Sequence, residues 1–335
     1  MKIHSLTKKH HIKNGFKNNY ISGGAKPFSD VLKWAITRKS PKPFQFNTLK
    51  PDIGFLKSNK SDSTLTWIGH STFLIQHDGF NIITDPHFSE RSSPVSFAGP
   101  KRYIQPMMTV PELPLLDIVL ISHDHYDHLD KQSVIDIYQR QINNPPLFMV
   151  PLKVKARLEK WGIKNIVDLD WWESESFSGW NLTCVPAQHF SGRSINDRNS
   201  TLWAGWVAEL NGFQIYFAGD TGYSSDFKDI YDRLGSMDLS LIPIGAYEPR
   251  WFMRDVHTNP DDAVLIHEDL HSQYSVGMHW GTFILTDEPV DSPPKRLAEV
   301  LKERNLNADS FESFIHGETR LINFLTQKSA TPKSV

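Results

Sequence analysis

The sequence predicts an α/β fold, a four-layer αββα sandwich of two sheets with helices outside, built from two similar halves. Three observations carry this expectation. TLTWIGHSTFLIQHDGFNIITDP (64–86) reads as two strands around an Asp78-Gly79 hairpin turn. LWAGWVAELNGFQIYFAGDTG (202–222) repeats it around Asn211-Gly212, again ending in an Asp. Each hairpin is followed by an apolar run suited to a strand covered on both faces, LLDIVLIS (115–122) and MDLSLIPIGAYE (237–248).

The remaining elements follow in order. Residues 1–60 read as an irregular lead-in with one helical stretch near Ser29–Thr37, where Phe28, Val31, Leu32 and Ala35 share a face and SPKP (40–43) ends the helix. DKQSVIDIYQRQ (130–141) has helical spacing at Val134, Ile135 and Tyr138. PLFMVP (146–151) is a short strand, and VKARLEKWG (154–162) is a helix closed by Gly162. This divides the chain into a basic arm and lead-in (1–60), a main domain (61–325) and a tail (326–335).

Composition narrows the chemistry. The 335 residues include 36 basic and 38 acidic side chains, 15 His and one Cys. One Cys excludes a disulfide framework and a multi-Cys zinc site, so a metal here needs His and carboxylates. Cys184, within an apolar strand, reads as a buried small hydrophobe. No segment reaches the ~18–20 apolar residues that span a bilayer, and the N-terminus lacks the apolar core of a secretory signal, so a cytoplasmic protein is expected. The net charge of -2 hides an asymmetry: residues 1–42 hold ten Lys/Arg and one acid, a net +9, leaving -11 on the rest. A basic arm on an acidic body suggests an anionic membrane surface as a peripheral partner, or else a solvated tail. The acidic body argues against nucleic acid, and a homodimer is left open.

The sharpest feature is His123-Asp124-His125-Tyr126-Asp127-His128, directly after an apolar strand. His189, Asp220 and His279 also follow apolar strands, so their strand ends can converge on one pocket. A lone His after a strand is usually a surface or hydrogen-bonded residue, which suits His4, His10, His11 and His77. Imidazoles clustered as H-x-H-x-D-H without a cation would leave competing, partly buried polar groups. Imidazole and carboxylate suit Zn, with Fe or Mn left open. Seven ligands exceed one tetrahedral site and suit two ions ~3.5–4 Å apart.

These residues resemble the metallo-β-lactamase superfamily, whose signature is H-x-H-x-D-H with a later His, Asp and His. Within it the chain is similar to the family of N-acyl-phosphatidylethanolamine-hydrolysing phospholipases D. The stretches are TWIGHST, TDPHFSERSSPVSFAGPKR, ELPLLDIVLISHDHYDHLD, LDWWE, FAGDTGY, IPIGAYEPRWFM and HWGTF, of which LDWWE and IPIGAYEPRWFM are the more specific. The resemblance implies that His123, His125 and His189 hold one zinc and Asp127, His128 and His279 a second, with Asp220 bridging. It gives catalytic roles to Asp220, Asp127 and His257, the last as a substrate or transition-state contact. It implies attack of a metal-bridging hydroxide on the phosphorus of a lipid phosphodiester, releasing phosphatidate and an N-acylethanolamine. Asp85 is expected to orient a ligand imidazole, with Asp117 a weaker candidate that could simply pair at its strand start. Trp251, Phe252 and Met253 are expected to wall an acyl chain, while Trp171, Trp172, Trp203 and Trp206 read mainly as core.

Other readings use the same residues: a lactonase or soluble phosphodiesterase, or a membrane-binding protein whose metals are structural. A diiron redox protein on this fold fits less well, because such relatives usually place Glu where His125 stands.

Overall fold

The computed structural model describes residues 8–21, 28–38, 41–194 and 196–326. The tail from 327 and the basic residues Lys2, Lys26 and Lys39 lie outside the described residues.

The chain opens with a short hairpin, β1 (His11–Ile12) and β2 (Gly15–Phe16), then α1 (Phe28–Thr37) and α2 (Ile53–Ser58). The first half continues through β3 (Thr64–Gly69), β4 (Thr72–His77), β5 (Phe80–Thr84), β6 (Ile118–Leu120), α3 (Lys131–Arg140), β7 (Leu147–Pro151), α4 (Lys155–Lys160) and β8 (Ile166–Leu169). The second half runs through β9 (Ser174–Phe177), β10 (Trp180–Val185), β11 (Gly205–Leu210), β12 (Phe213–Phe217), α5 (Asp226–Leu234), β13 (Leu239–Pro243), α6 (Arg250–Met253), α7 (Pro260–Asp269), β14 (Tyr274–Met278), α8 (Ser292–Glu303) and β15 (Phe311–Ser313). β16 (Thr319–Leu321) and α9 (Asn323–Thr326) close the chain.

Two seven-stranded mixed sheets form, in the orders β16-β3-β4-β5-β6-β7-β8 and β15-β14-β13-β12-β11-β10-β9. Both expected hairpin turns are present: Asp78 and Gly79 have φ of 49° and 79°, Asn211 and Gly212 of 52° and 82°. Asn, Asp and Gly reach that left-handed region most easily, which fixes the register of β4 on β5 and of β11 on β12. The halves are not self-contained, because β16 returns from the C-terminus to pair antiparallel with β3.

The apolar runs have the continuous pattern expected of doubly covered strands. In β4, Phe73 and Ile75 face the core between the sheets, while Leu74 joins the layer under α3 and α4. β6 divides likewise, with Ile118 and Leu120 inward and Val119 outward. Trp171, Trp203 and Trp206 are buried in the inter-sheet core, with Trp172 partly buried against it. Cys184 is also buried there.

The lead-in departs from its reading as irregular. It forms β1 and β2 and a second helix, α2, and Phe16 is buried in the main core. α1 forms where the spacing places it, but Leu32 is half-exposed, and the side chains of Phe28, Val31 and Ala35 lie outside the described residues. Among the described residues, no helix is long and apolar enough to cross a membrane.

Candidate metal centre

The site lies where strands from both sheets end. β3 is followed by His70, β5 by Asp85, β6 by His123, β10 by His189, β12 by Asp220 and β14 by His279. Three of these residues have left-handed backbone without being glycine: His70 (φ 54°), Asp85 (φ 32°) and His279 (φ 62°). Such conformations cost about 1–3 kcal/mol each and persist where the surroundings over-determine them. Gly219, just before Asp220, has a φ of 60°, and a Cβ there would lie 2.5 Å from Ser122 Cβ. Only glycine lets the two sheets approach this closely.

One cluster brings together His123, His125 and His189. His123 Nε2 and His189 Nε2 lie 2.8 and 3.2 Å from His125 Nδ1. The outer nitrogens of His123 and His189 are occupied. His189 Nδ1 donates to the Val256 carbonyl at 2.8 Å, and His123 Nδ1 to Ser122 Oγ at 2.9 Å. Ser122 Oγ in turn donates to Asp85 Oδ2 at 2.5 Å. With those protons tied outward, the inward Nε2 atoms present lone pairs, the form a metal ligates.

The second cluster holds Asp127, His128 and His279 together with His70. Asp127 Oδ2 is 3.3 Å from His128 Nε2, 3.4 Å from His279 Nε2 and 3.0 Å from His70 Nε2. Asp220 stands between the clusters. Its Oδ2 is 3.1 Å from His128 Nε2 and 3.7 Å from His189 Nε2, and its Oδ1 is 3.1 Å from His279 Nε2.

Buried polar atoms test whether these residues suit a cation. His128 Nε2, His279 Nε2 and Asp220 Oδ1 are fully buried and have no hydrogen-bond partner. Leaving such groups unpaired is costly, whereas a cation between them would satisfy all three. The residues therefore fit a metal, and the imidazole and carboxylate donors suit a borderline divalent ion. Burial tends to raise the Asp220 pKa, but His128 and His279 outweigh it and hold the carboxyl well below its usual range. Burial likewise pushes His123 and His189 well down, in keeping with neutral imidazoles.

The structure brings all seven expected ligands together, and Asp85 is linked to two of the rings, one directly and one through a serine. It accepts from His128 Nδ1 at 2.7 Å and reaches His123 through Ser122. Asp117 is away from this network: it accepts from Asn81 N at 2.8 Å at the strand start. Asp124, the unused acid of the motif, accepts from Arg157 Nη2 and Gly192 N, tying the motif to the loop after His189. His257 sits 3.9 Å from Asp220 through a buried, partnerless Nδ1, and burial lowers its pKa to about 4.

A cavity of about 290 Å³ ends on these groups. Its walls include His125, Asp127, Asp220 and His257, with Trp34, Phe190, Phe252, Met253, Val256 and Leu285 supplying apolar surface. Trp251 does not belong to this wall and corrects the sequence expectation: it is 45% exposed, with Lys33 Nζ 4.6 Å above its ring. The physical reason is the one-turn helix α6, which rotates successive side chains by about 100°. Trp251 and Met253 are therefore about 200° apart around the helix, with Phe252 between them, so Trp251 points to the side opposite Met253. Several residues of this site went unassigned in the sequence, His70 and Trp34 among them. His70 lies in the TWIGHST stretch and obeys the same strand-end rule as the other ligands. Trp34, stacked on Phe252 at 5.3 Å, had no signal beyond its place in a weakly amphipathic helix.

The fold and the site define a metal-dependent hydrolase. Residues 80–280 match the model of the beta-lactamase superfamily domain. The N-acyl-phosphatidylethanolamine-hydrolyzing phospholipase D 1 of Caenorhabditis elegans is 42% identical over 265 residues, 76% of this chain and 74% of that protein. The mitochondrial N-acyl-phosphatidylethanolamine-hydrolyzing phospholipase D of Saccharomyces cerevisiae is 37% identical over 71% of this chain, which spans only 51% of the yeast protein's length. A solved structure of Igni18, a metallo hydrolase from Ignicoccus hospitalis, superposes with a TM-score of 0.58 at 21% identity, covering 78% of this chain and 98% of that one. The chain belongs to the metallo-β-lactamase superfamily, in the family of the N-acyl-phosphatidylethanolamine-hydrolysing phospholipases D.

Proposed function

We propose that this hydrolase holds two zinc ions and cleaves N-acyl-phosphatidylethanolamine to N-acylethanolamine and phosphatidate. The observation that carries the reading is the apolar cavity ending on the two His/Asp clusters. A lipid phosphodiester needs both: apolar walls for a chain and a cationic floor for the phosphate.

His123, His125 and His189 would hold one ion, and Asp127, His128 and His279 the other, with Asp220 between them. When bound, the ions supply Lewis acidity and lower the pKa of water to ~7. The chain's own residues do the rest. Asp220 orients the attacking water by accepting its hydrogen bond. His257 is uncharged at neutral pH and stands beside Asp220, where its ring can hold a phosphoryl oxygen or a proton in transit. Arg250 Nη1 donates to the His257 carbonyl at 2.9 Å and fixes that loop. Arg198, on the cavity wall, adds positive charge for the phosphate. Phe252, Met253, Trp34 and Leu285 exclude water and take up the acyl chain.

We also propose that the cavity mouth works at an anionic bilayer surface. Leu32 and Ile36 of α1 are exposed, as is Trp251 of α6, and Lys33 of α1 lies over the Trp251 ring, so both helices present apolar groups and a basic group at the surface. The test is a substrate panel run with purified protein: long-chain N-acyl-phosphatidylethanolamine in vesicles, a short-chain soluble phosphodiester and an acyl lactone. Preference for the vesicle substrate is expected. Turnover of the lactone alone would replace the phosphodiesterase reading with a lactonase.

A further inference from the structure

The N-terminal segment touches the metal centre. Asn18 is buried, and its side-chain amide grips the backbone of His189 in both directions. Asn18 Nδ2 donates to His189 O at 2.9 Å, and His189 N donates to Asn18 Oδ1 at 3.0 Å. The same Oδ1 accepts from Trp203 Nε1 at 3.1 Å. The two residues are 171 positions apart, and Asn18 lies outside the 80–280 stretch that matches the superfamily model.

Both sides of Asn18 are anchored. Upstream, His10 Nε2 and His11 Nε2 meet the two oxygens of Asp170 at 2.6 and 2.9 Å, and Lys8 Nζ lies 3.1 Å from Asp170 Oδ2. The His10 ring also stacks on Trp171 at 4.3 Å. The Lys8 ammonium already neutralises that carboxylate, so this cluster acts as a clasp rather than a cation site. Downstream, Asn19 Nδ2 donates to Asp226 Oδ1 at 2.7 Å, and Tyr20 OH to Asp229 Oδ2 at 2.5 Å.

We infer that residues 8–20 form a strap whose Asn18 is a positioning residue for the metal ligand His189. The inference rests on the reading of His189 as a ligand. His189 needs its ring aimed by Val256 and its backbone held in place. Asn18 supplies the second constraint, so the affinity of the His123/His125/His189 cluster depends on a segment far from the ligand motifs in sequence. Partners of this kind, one step behind a ligand, typically control metal affinity 10- to 100-fold.

The test uses full-length protein loaded with zinc, then dialysed against graded chelator. Occupancy at each cluster is read from anomalous diffraction, and overall affinity from chelator competition. Asn18→Leu, similar in size and unable to hydrogen-bond, is expected to weaken the His189 cluster about 10-fold or more while the Asp127/His128/His279 cluster keeps its metal. Asn18→Asp retains the acceptor but loses the donor, and is expected to weaken the same cluster by less. It decides the matter if Asn18→Leu does not fold. Unchanged occupancy at the His189 cluster overturns the inference, as does equal loss at both clusters, since a merely structural role would not select one. If wild-type protein binds no metal at His189, the reading beneath the inference fails instead.

Discussion

Replacing Asp85 with Asn probes how the site aims its ligands. The Asp85 carboxylate is fully buried and accepts three hydrogen bonds: Ser122 N on Oδ1 at 2.7 Å, with Ser122 Oγ at 2.5 Å and His128 Nδ1 at 2.7 Å on Oδ2. Asn fits the same volume but can accept on only one side. Whichever way its amide turns, its NH₂ confronts an N–H of Ser122 or of His128. One hydrogen bond to a charged group is lost, worth about 1.5–3 kcal/mol. If that falls on the aim of His128, metal affinity drops by roughly 10- to 100-fold, the range seen when groups behind metal ligands are changed. Competition with a chromophoric chelator at pH 7.5 measures the affinity, and thermal unfolding of the metal-free protein measures the structural part separately. Affinity within twofold of wild type would refute the claim that Asp85 aims these rings.

Other consequences follow from single contacts. His70→Ala removes the imidazole 3.0 Å from Asp127 and should weaken metal binding about 10-fold or more, checked by the same competition; unaltered affinity would make His70 a bystander. Phe252→Ala should raise KM for a long-chain substrate by about 1–2 kcal/mol, roughly 5- to 30-fold, with little change for a short phosphodiester. Trp251→Ala should not reproduce that split, because its ring lies off the cavity wall, and equal splits in steady-state assays would contradict the assignment. His267 is buried against Phe311 and Ser275, and burial lowers its pKa from 6.5 to about 4. Its neutral form is therefore favoured in the folded state, so its contribution is complete above pH 6.5 and is lost as pH falls towards 4. The loss runs at about 1.4 kcal/mol per pH unit. His267→Gln should flatten the pH dependence of denaturant stability by about that slope, and parallel curves for variant and wild type would contradict it.

Much of this could be read from the residues because the physics was local. Asp78-Gly79 and Asn211-Gly212 announce left-handed turns, and the runs around Val119 and Leu241 announce doubly covered strands. H-x-H-x-D-H concentrates ligands so densely that a cation is the simplest way to satisfy them. What was missed depended on distance along the chain. β16 completes the first sheet from the far end of the sequence, and Asn18 reaches His189 across 171 positions. Neither leaves a periodic mark. His70 was open to the strand-end argument, yet a single His after Gly69 lacks the clustering that singles out His123 to His128. Trp251 failed for a third reason: composition suggested an apolar wall, but the turn of α6 decides which of three neighbouring side chains faces it.

The proposed dinuclear centre joins the two clusters through Asp220. Elemental analysis of wild type and Asp220→Asn, alongside turnover of N-acyl-phosphatidylethanolamine, tests it most directly. A wild-type chain should carry two metal ions, and Asp220→Asn should lose metal and turnover together. One ion per wild-type chain, or full activity in Asp220→Asn, would contradict it.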